Sequence, residues 1–197
     1  MGKTFVLFVA LLIIAGCMPE EVVNLKGKKA VMIVAPVGFR DEECFEPKDI
    51  LEKSGVEVKI ASKNTQKAIG KLGGTIDVDL NLSEVDVNDY DAVIFIGGPG
   101  AANYTKDKEA LRIAQDTVKK NKLLAAICIA PTILASAGVL KGKNATVWNA
   151  DGNQSAVLEN AGATYVRKPV VVDGKLITAD GPQSAKAFGK EIVKALS

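Results

Sequence analysis

A stretch of nine residues, Leu123–Pro131, constrains the fold of this chain more than any other segment. It begins as an apolar run of the kind that a strand buried on both faces shows. It ends at Pro131, which suits the first turn of a helix, and apolar positions continue at helical spacing to Ala137. Cys128 therefore lies at a sharp corner between a strand and a helix, the arrangement of a nucleophile elbow.

Two interpretations of Cys128 fit its position at this corner. The free backbone N–H groups at a helix N-terminus favour an anion, so they favour a reactive thiolate over a thiol. Free cysteine is also among the most buried residue types, so the alternative is that Cys128 is a small hydrophobic core residue. The local sequence leaves both interpretations open.

Strand and helix patterns alternate along the rest of the chain. Strands are predicted at residues 29–35, 56–61, 91–96, 123–127 and 144–148, with an exposed strand or hairpin arm at 75–82. Helices are predicted at residues 41–54 with Asp41 as N-cap, 108–120, 131–137, 154–161 and 182–196. Residues 36–40 are predicted to form a loop, and 170–178 a hairpin. This order predicts a doubly wound α/β domain, with a mostly parallel sheet between two layers of helices.

The composition excludes several kinds of chemistry. The sequence has no histidine, which removes histidine acid–base catalysis, Ser–His and Cys–His triads and histidine-ligated metal sites. Its 25 Lys and Arg balance 23 Asp and Glu without a basic stripe, so nucleic acid is not an expected partner. The cysteines at positions 17, 44 and 128 match no zinc or disulfide spacing. We therefore expect no metal and no cofactor.

The N-terminal segment has the features of a targeting signal. Lys3 precedes an apolar run, Phe5–Ile14, that is too short to span a bilayer. Ala15, Gly16 and Cys17 then resemble a bacterial lipobox, in which the cysteine receives the lipid; an ordinary cleaved signal and an uncleaved anchor are the alternatives.

These features define three predicted regions. Residues 1–16 are a lipoprotein-type signal peptide, 17–28 a lipid anchor and linker, and 29–197 the folded domain. The protein is thus expected to be exported and anchored to the outer face of the cytoplasmic membrane, or else secreted.

Three chemically distinct groups are predicted to follow the carboxyl ends of strands, where ligands bind in open α/β sheets. An acidic cluster at residues 41–43 follows the first strand, Gly97 and Gly98 follow another, and Cys128 follows the elbow strand. A glycine pair lets backbone N–H groups approach a reacting oxygen, as an oxyanion hole needs, with Gly98 and Ile129 as candidate donors. A tight turn without chemistry is the alternative for the glycine pair.

Five sequence blocks together resemble the DJ-1/ThiJ/PfpI superfamily, which has a class I glutamine amidotransferase-like fold. The blocks occur in the family's order and cover most of residues 29–196; they are Phe39–Pro47, Ile96–Pro99, Ala126–Pro131, Ser136–Gly142 and Val171–Gly174. The resemblance implies a flavodoxin-like α/β sandwich with a nucleophile elbow and, as is common in the family, a homodimer.

The resemblance also implies roles for individual residues. Cys128 matches the family's reactive nucleophile, Glu43 the carboxyl group that contacts it, and Gly98 the second glycine of the oxyanion turn. Two positions depart from the family pattern: Ile129 stands where PfpI-type members have histidine, and Trp148 where other members have one on a later strand. A peptidase mechanism that depends on a cysteine–histidine pair is therefore disfavoured.

The chemistry that remains needs only a thiol and a carboxyl group. The resemblance implies a glyoxalase- or deglycase-like hydrolase or lyase that acts on small carbonyl compounds or glycated groups, with Cys128 as nucleophile and Glu43 as acid and base. The alternative is a redox sensor or chaperone-like stress protein that uses the same cysteine. Nucleotide binding after Gly98 and Gly100 is less favoured, because Asn103 stands in place of a third glycine.

Two further residues are candidates for the surroundings of the thiol. Trp148 either forms a wall of a substrate pocket or packs in the core. Cys44 adjoins Glu43 in the sequence, and it either faces Cys128, where a disulfide could form in an exported protein, or points away from it.

Overall fold

A computed structural model describes residues 23–197 of the 197-residue chain. The predicted signal peptide and the predicted lipidation site, Cys17, lie outside the described residues. Leu25 is buried in the core, and its N–H donates to the carbonyl of Ser54 at 2.7 Å. The domain therefore includes residues 23–28, which the sequence had assigned to the linker. Within 23–197, no helix is both long enough and apolar enough to cross a membrane.

Strands and helices alternate through the described residues. The strands are β1 (Lys29–Ile33), β2 (Val37–Phe39), β3 (Glu57–Ser62), β4 (Lys67–Gly70), β5 (Thr75–Asp77), β6 (Leu80–Asn81), β7 (Ala92–Phe95), β8 (Leu123–Ile127), β9 (Asn144–Ala145), β10 (Thr164–Tyr165), β11 (Val170–Asp173) and β12 (Leu176–Ala179). The α-helices are α1 (Asp41–Lys53), α2 (Lys108–Lys119), α3 (Pro131–Ser136), α4 (Gln154–Asn160) and α5 (Ala185–Leu196). Short 3-10 helices span Leu82–Glu84, Val87–Asp89, Pro99–Lys106 and Pro182–Ser184.

The main sheet has seven strands in the order β11-β12-β8-β7-β1-β3-β6. Neighbouring strands pair in parallel except β11 and β12, which form an antiparallel hairpin at one edge. From β1 the chain first adds strands on one side, β3 and β6, and then on the other, β7, β8 and β12. The predicted doubly wound, mostly parallel, flavodoxin-like architecture is confirmed.

Alternation of side chains along the central strand β1 explains the two helical layers. Val31 and Ile33 point into a core shared with α2, α3 and α4. Ala30 and Met32 point into the opposite core, which is shared with α1 and α5. Because both faces of the sheet are covered, its strands carry the continuous apolar runs that made them recognisable in the sequence.

A second, three-stranded sheet in the order β2-β4-β5 contacts the start of helix α1. The hairpin arm expected at 75–82 is present only over Thr75–Asp77, as β5, because Leu80–Asn81 pairs instead with β3 in the main sheet as β6. Part of the predicted loop at 36–40 pairs as β2 with β4. Arg40, and not Asp41, is the N-cap residue of α1. The Asp41 carboxylate instead accepts hydrogen bonds from the N–H groups of Leu72 and Gly74, because the turn after β4 brings both within its reach.

The strand predicted at 144–148 is shorter than expected. It ends at Ala145 as β9, so Trp148 lies beyond it, in an irregular segment before α4. The N–H of Trp148 donates to the carbonyl of Cys128 at 2.8 Å. This hydrogen bond holds the segment against the elbow.

Candidate active site

The candidate site lies where the carboxyl ends of β1, β7 and β8 meet. The chain leaves β1 toward β3 on one side, and β7 and β8 lie on the other, so a ligand crevice is expected at this switch point. Helix α1 brings Glu43 to this edge, the turn after β7 brings Gly97 and Gly98, and the corner after β8 brings Cys128. The structure thus brings together the three groups that the sequence placed at strand ends.

Cys128 has the backbone conformation of a strained elbow. Its φ is 63°, in the left-handed region that a residue with a side chain rarely adopts and that costs roughly 1–3 kcal/mol. The N–H of Cys128 donates to the carbonyl of Ala179 at 2.9 Å, on the neighbouring strand β12, and this hydrogen bond stabilises the corner. Only 8% of the residue is exposed. The thiol is therefore presented in one fixed position at the end of β8.

Gly97 allows the thiol and the carboxyl group to meet. A Cβ at this position would lie 2.5 Å from both the Cβ of Cys128 and Oε2 of Glu43, and 2.7 Å from the carbonyl oxygen of Ile127. Gly98 has a φ of 95°, and a Cβ there would lie 2.4 Å from the backbone nitrogen of Arg40. The glycine pair is therefore more than a tight turn, because any side chain would displace the groups beside it.

Glu43 is fully buried beside the thiol. Both carboxyl oxygens lack a hydrogen-bond partner of normal geometry in the part of the chain that the structure describes. Burial raises the pKa of Glu43 to about 7, and weaker interactions with the Cys128 thiol, Arg40 and the N–H of Gly97 only partly offset this. A buried carboxyl group without a partner is costly for stability, which makes it a functional-site candidate.

The pKa of Cys128 is also raised, to about 12, first by burial and then by the negative charge of Glu43. The N–H groups of Gly98 and Ile129 act in the opposite direction and lower it, as expected of oxyanion-type donors. The backbone N–H groups of the corner therefore favour the thiolate, as the sequence predicts, but they do not set the Cys128 pKa by themselves. Helix α3 has only six residues, and desolvation together with the carboxyl group outweighs the backbone N–H groups.

Cys128 and Glu43 line a cavity of about 300 Å³, at the lower end of the range of about 300–1,000 Å³ for small-molecule sites. Its other lining residues are Arg40, Lys71, Gly98, Pro99, Ile129, Trp148, Pro182 and Gln183. Trp148 is 41% exposed, and its ring packs on Gly181, where a Cβ would lie 2.9 Å from it. This placement favours the pocket-wall interpretation of Trp148 over core packing.

Cys44 does not line the cavity. It is fully buried in the core between α1 and the sheet, and both Cys44 and Cys128 are free thiols. Burial raises the pKa of Cys44 to about 12. The interpretation of Cys44 as a pocket residue is therefore wrong, because its position on α1 directs it into the apolar core.

Five cavity residues were not predicted as site residues from the sequence: Arg40, Lys71, Pro99, Pro182 and Gln183. Arg40 adjoins the acidic cluster, and its guanidinium is held by the Glu42 carboxylate. Lys71 lies between Gly70 and Gly73, and these glycines were the one sequence signal that a turn presents a side chain there. Pro182 and Gln183 come from the start of the last helical segment, whose relation to the thiol depends on the tertiary fold.

Comparison with known proteins places this geometry in a family. The sequence profile of the DJ-1/PfpI family matches residues 28–195. The chain belongs to the DJ-1/PfpI family. This confirms the family resemblance found in the sequence blocks.

Several members of the DJ-1/PfpI family are similar over most of their length. Protein MJ0967 of Methanocaldococcus jannaschii is 40% identical over 90% of this chain and 86% of its own length. Deglycase TK1284 of Thermococcus kodakarensis is 36% identical over 84% of this chain and 98% of its own. The crystal structure of a ThiJ/PfpI domain protein from Brachyspira murdochii superposes with a TM-score of 0.83 at 34% identity, covering 87% of this chain and 97% of that one. Family and fold are thus established, and the catalytic roles of Cys128 and Glu43 stay predictions.

Proposed function

We propose that this protein is a deglycase- or glyoxalase-like enzyme that acts on small carbonyl compounds or on their adducts with amines and thiols. The observation that carries the proposal is that one cavity is lined by the Cys128 thiol and by the buried Glu43 carboxyl group, which has no hydrogen-bond partner of normal geometry among the described residues. The relative named deglycase TK1284 supports the same class of reaction.

The protons held by this pair suit the proposed chemistry near neutral pH. The pair loses its first proton near the Glu43 pKa of about 7 and keeps the second up to the Cys128 pKa of about 12. Between these values the pair shares one proton, and the sulfur is a thiolate whenever that proton sits on Glu43. The N–H groups of Gly98 and Ile129 stabilise the charge on sulfur, so that a nucleophile and an acid are present together.

In the first proposed step, the sulfur attacks the aldehyde carbon of a 2-oxoaldehyde such as methylglyoxal. The C–S bond forms, the carbonyl π bond breaks, and the carbonyl oxygen takes the proton from Glu43, which gives a thiohemiacetal. With an amine adduct, the sulfur displaces the amine, which leaves with a proton, and the same thiohemiacetal results.

In the second proposed step, the Glu43 carboxylate removes the C–H proton of the thiohemiacetal carbon, and the neighbouring carbonyl oxygen takes up a proton, which gives an enediol. A proton then returns to the neighbouring carbon, and the hydroxyl group on the sulfur-bearing carbon loses its proton as the C=O bond of the thioester forms. One carbon is oxidised and its neighbour is reduced, so the product is a thioester of a 2-hydroxy acid and no external oxidant is needed. Water then cleaves the C–S bond, releases the 2-hydroxy acid and restores the proton to the pair.

Production of lactate from methylglyoxal by the purified protein tests the proposal. We expect Cys128→Ser to lower kcat/KM by at least about 10³-fold, because it removes the nucleophile. Glu43→Gln should lower it by about 10²-fold or more, because it removes the acid and base. Cys44→Ser is the matched control, and it should stay within about twofold because Cys44 does not line the cavity.

Two outcomes would count against the proposed enzyme. Turnover that survives in Cys128→Ser would exclude Cys128 as the nucleophile. Absence of turnover, together with sulfinic acid at Cys128 after mild peroxide treatment, would support the redox-sensor alternative instead.

Export, lipidation of Cys17 and homodimer formation complete the proposal. The signal-like segment and the lipobox-like cysteine support the first two, and membership of the family supports the third. Membrane fractionation of Cys17→Ser against the unmodified chain tests the anchor, and sedimentation equilibrium tests the dimer.

A further inference from the structure

Lys71 is distinct among the charged residues that line the cavity. Arg40 is paired with the Glu42 carboxylate through two hydrogen bonds, at 2.8 and 3.0 Å, so its charge is already compensated. Glu43 lines the cavity beside Cys128 and is buried from solvent. The Lys71 ammonium is exposed, and it forms no ion pair or hydrogen bond with any residue of the described range 23–197. Of the two cations that line the cavity, Lys71 is therefore the one without a direct ion pair among the described residues.

The turn that carries Lys71 is held by strand β2 and by the start of helix α1. The N–H of Lys71 donates to the carbonyl of Phe39 at 2.7 Å. On the far side of the turn, the N–H groups of Leu72 and Gly74 donate to the Asp41 carboxylate at 2.8 and 2.7 Å. Asp41 thus acts as a positioning residue, since it ties the turn that carries Lys71 to the helix that carries Glu43.

Two glycines of this turn, Gly70 and Gly74, lie very close to the Asp41 carboxylate. A Cβ at Gly70 or at Gly74 would lie 2.4 Å from Oδ1 of Asp41. Neither position accepts a larger residue without displacing Asp41. The side chain of Lys71 therefore starts from a defined point in the cavity lining.

The remaining cavity walls favour an anion near this ammonium group. Pro99, Ile129, Trp148 and Pro182 contribute apolar surface, which excludes water and lessens screening of the charge. In the acidic cluster at residues 41–43, the Asp41 carboxylate is engaged by two N–H groups and the Glu42 carboxylate by Arg40, while Glu43 is buried beside Cys128.

We propose that Lys71 is a specificity-determining residue that selects carbonyl substrates with a carboxylate group beyond the reacting carbonyl. Suitable ligands are aldehyde-acids and aldehyde adducts of amino acids with a free carboxylate. The inference rests on the proposed function for the substrate class, because the reacting carbonyl must reach Cys128. The charge preference itself is a property of the cavity and is measurable without turnover.

Two alkylating agents of nearly equal size form the probe pair. Iodoacetate is an anion and iodoacetamide is neutral, and with both the Cys128 sulfur displaces iodide as the S–C bond forms and the C–I bond breaks. The alkylation rate at Cys128 of the full chain is measured by peptide mass spectrometry, and the iodoacetate-to-iodoacetamide ratio is divided by that of free cysteine. This normalisation removes the intrinsic difference in reactivity between the two probes.

We expect Lys71→Gln to lower the normalised ratio by about fivefold, which corresponds to about 1 kcal/mol. Lys71→Glu should lower it further, because the charge is then repulsive. Lys67→Gln is the matched control: Lys67 lies on the same hairpin, pairs with Asp77 and does not line the cavity, so the ratio should not change. Raising the ionic strength should bring the ratio of the unmodified protein toward that of Lys71→Gln.

An unchanged ratio in Lys71→Gln would overturn the inference. If the rates of both probes changed equally, the ratio would also stay the same, and Lys71 would then act on the reactivity of the thiol and not on the charge of the probe. Asp41→Asn, which removes one of the two acceptors of the turn, should lower the ratio partly. Failure of the proposed function is a separate result, because loss of methylglyoxal turnover would leave the probe ratio intact. Methylglyoxal turnover by the unmodified protein, with an unchanged probe ratio in Lys71→Gln, would disprove the role of Lys71 and leave the proposed function intact.

Discussion

The two described cysteines show how little burial alone says about a thiol. Cys44 and Cys128 are both buried, both free, and both have a pKa raised to about 12 chiefly by desolvation. Cys44 lies in a regular helical turn and faces the core. Cys128 lies at a corner with a φ of 63°, beside Glu43 and a cavity.

The difference teaches that the groups around a buried thiol decide its chemistry. Beside Cys128 lies the buried Glu43 carboxyl group, which has no hydrogen-bond partner of normal geometry among the described residues, and the N–H groups of Gly98 and Ile129 lower the Cys128 pKa. Cys44 has neither, so desolvation keeps it a neutral thiol. Three predictions test this contrast, in order of decreasing effect.

The largest expected effect is on alkylation of the native protein. At pH 8, iodoacetamide should modify Cys128 about 10³-fold faster than Cys44, because Cys44 is accessible only when the core opens. The Cys128 rate should rise through a midpoint near the Glu43 pKa of about 7, since the first proton leaves the pair there. In Glu43→Gln the midpoint of the Cys128 rate should move to higher pH, because only the thiol then titrates. Peptide mass spectrometry measures both rates, and equal rates in the native protein would break the contrast.

The next effect is on the free energy of unfolding of Glu43→Gln. Burial raises the pKa of Glu43 from 4.5 to about 7 in the folded protein, so the folded state holds the Glu43 proton more tightly than the unfolded state does. The stability that this proton contributes is fully present below pH 4.5 and is lost as the pH rises through 7. About 2.5 pH units at about 1.36 kcal/mol each give about 3 kcal/mol.

Denaturant unfolding at pH 4.5 and at pH 8 measures this effect. We expect Glu43→Gln to gain about 3 kcal/mol over the unmodified protein at the higher pH and little at the lower one. Glu46→Gln, on the same helix, is the control and should show no such difference. A Glu43→Gln protein that is less stable at pH 8 would contradict the raised pKa.

The smallest effect is expected from Gly97→Ala. Its Cβ would lie 2.5 Å from the Cβ of Cys128, so we expect about a tenfold loss of Cys128 alkylation rate while Cys44 stays protected. Gly138→Ala is the matched control: its φ is +74° with no atom within 4 Å, so it carries left-handed strain of about 1–2 kcal/mol and no collision. Equal alkylation rates in the two variants would show that Gly97 does not set the geometry of the pair.

Most of the fold could be predicted from the sequence. The central strands are buried on both faces, so β1, β7 and β8 appear as unbroken apolar runs. Short elements escaped prediction because tertiary pairing creates them: β2 has three residues and exists only through its pairing with β4. The strand expected up to Trp148 ends early for a related reason, since the hydrogen bond of Trp148 goes to the elbow and not to a strand.

The sequence by itself predicted the elbow, the alternation of strands and helices that leads to a doubly wound sheet and, through the family motifs, that Glu43 contacts Cys128. These depend on local spacing and hydrophobic periodicity, which are written along the chain. Only the tertiary structure decided the protonation of the pair and the placement of Lys71. The pKa values depend on burial, and Lys71 reaches the cavity because Asp41 binds a turn 31 to 33 residues away.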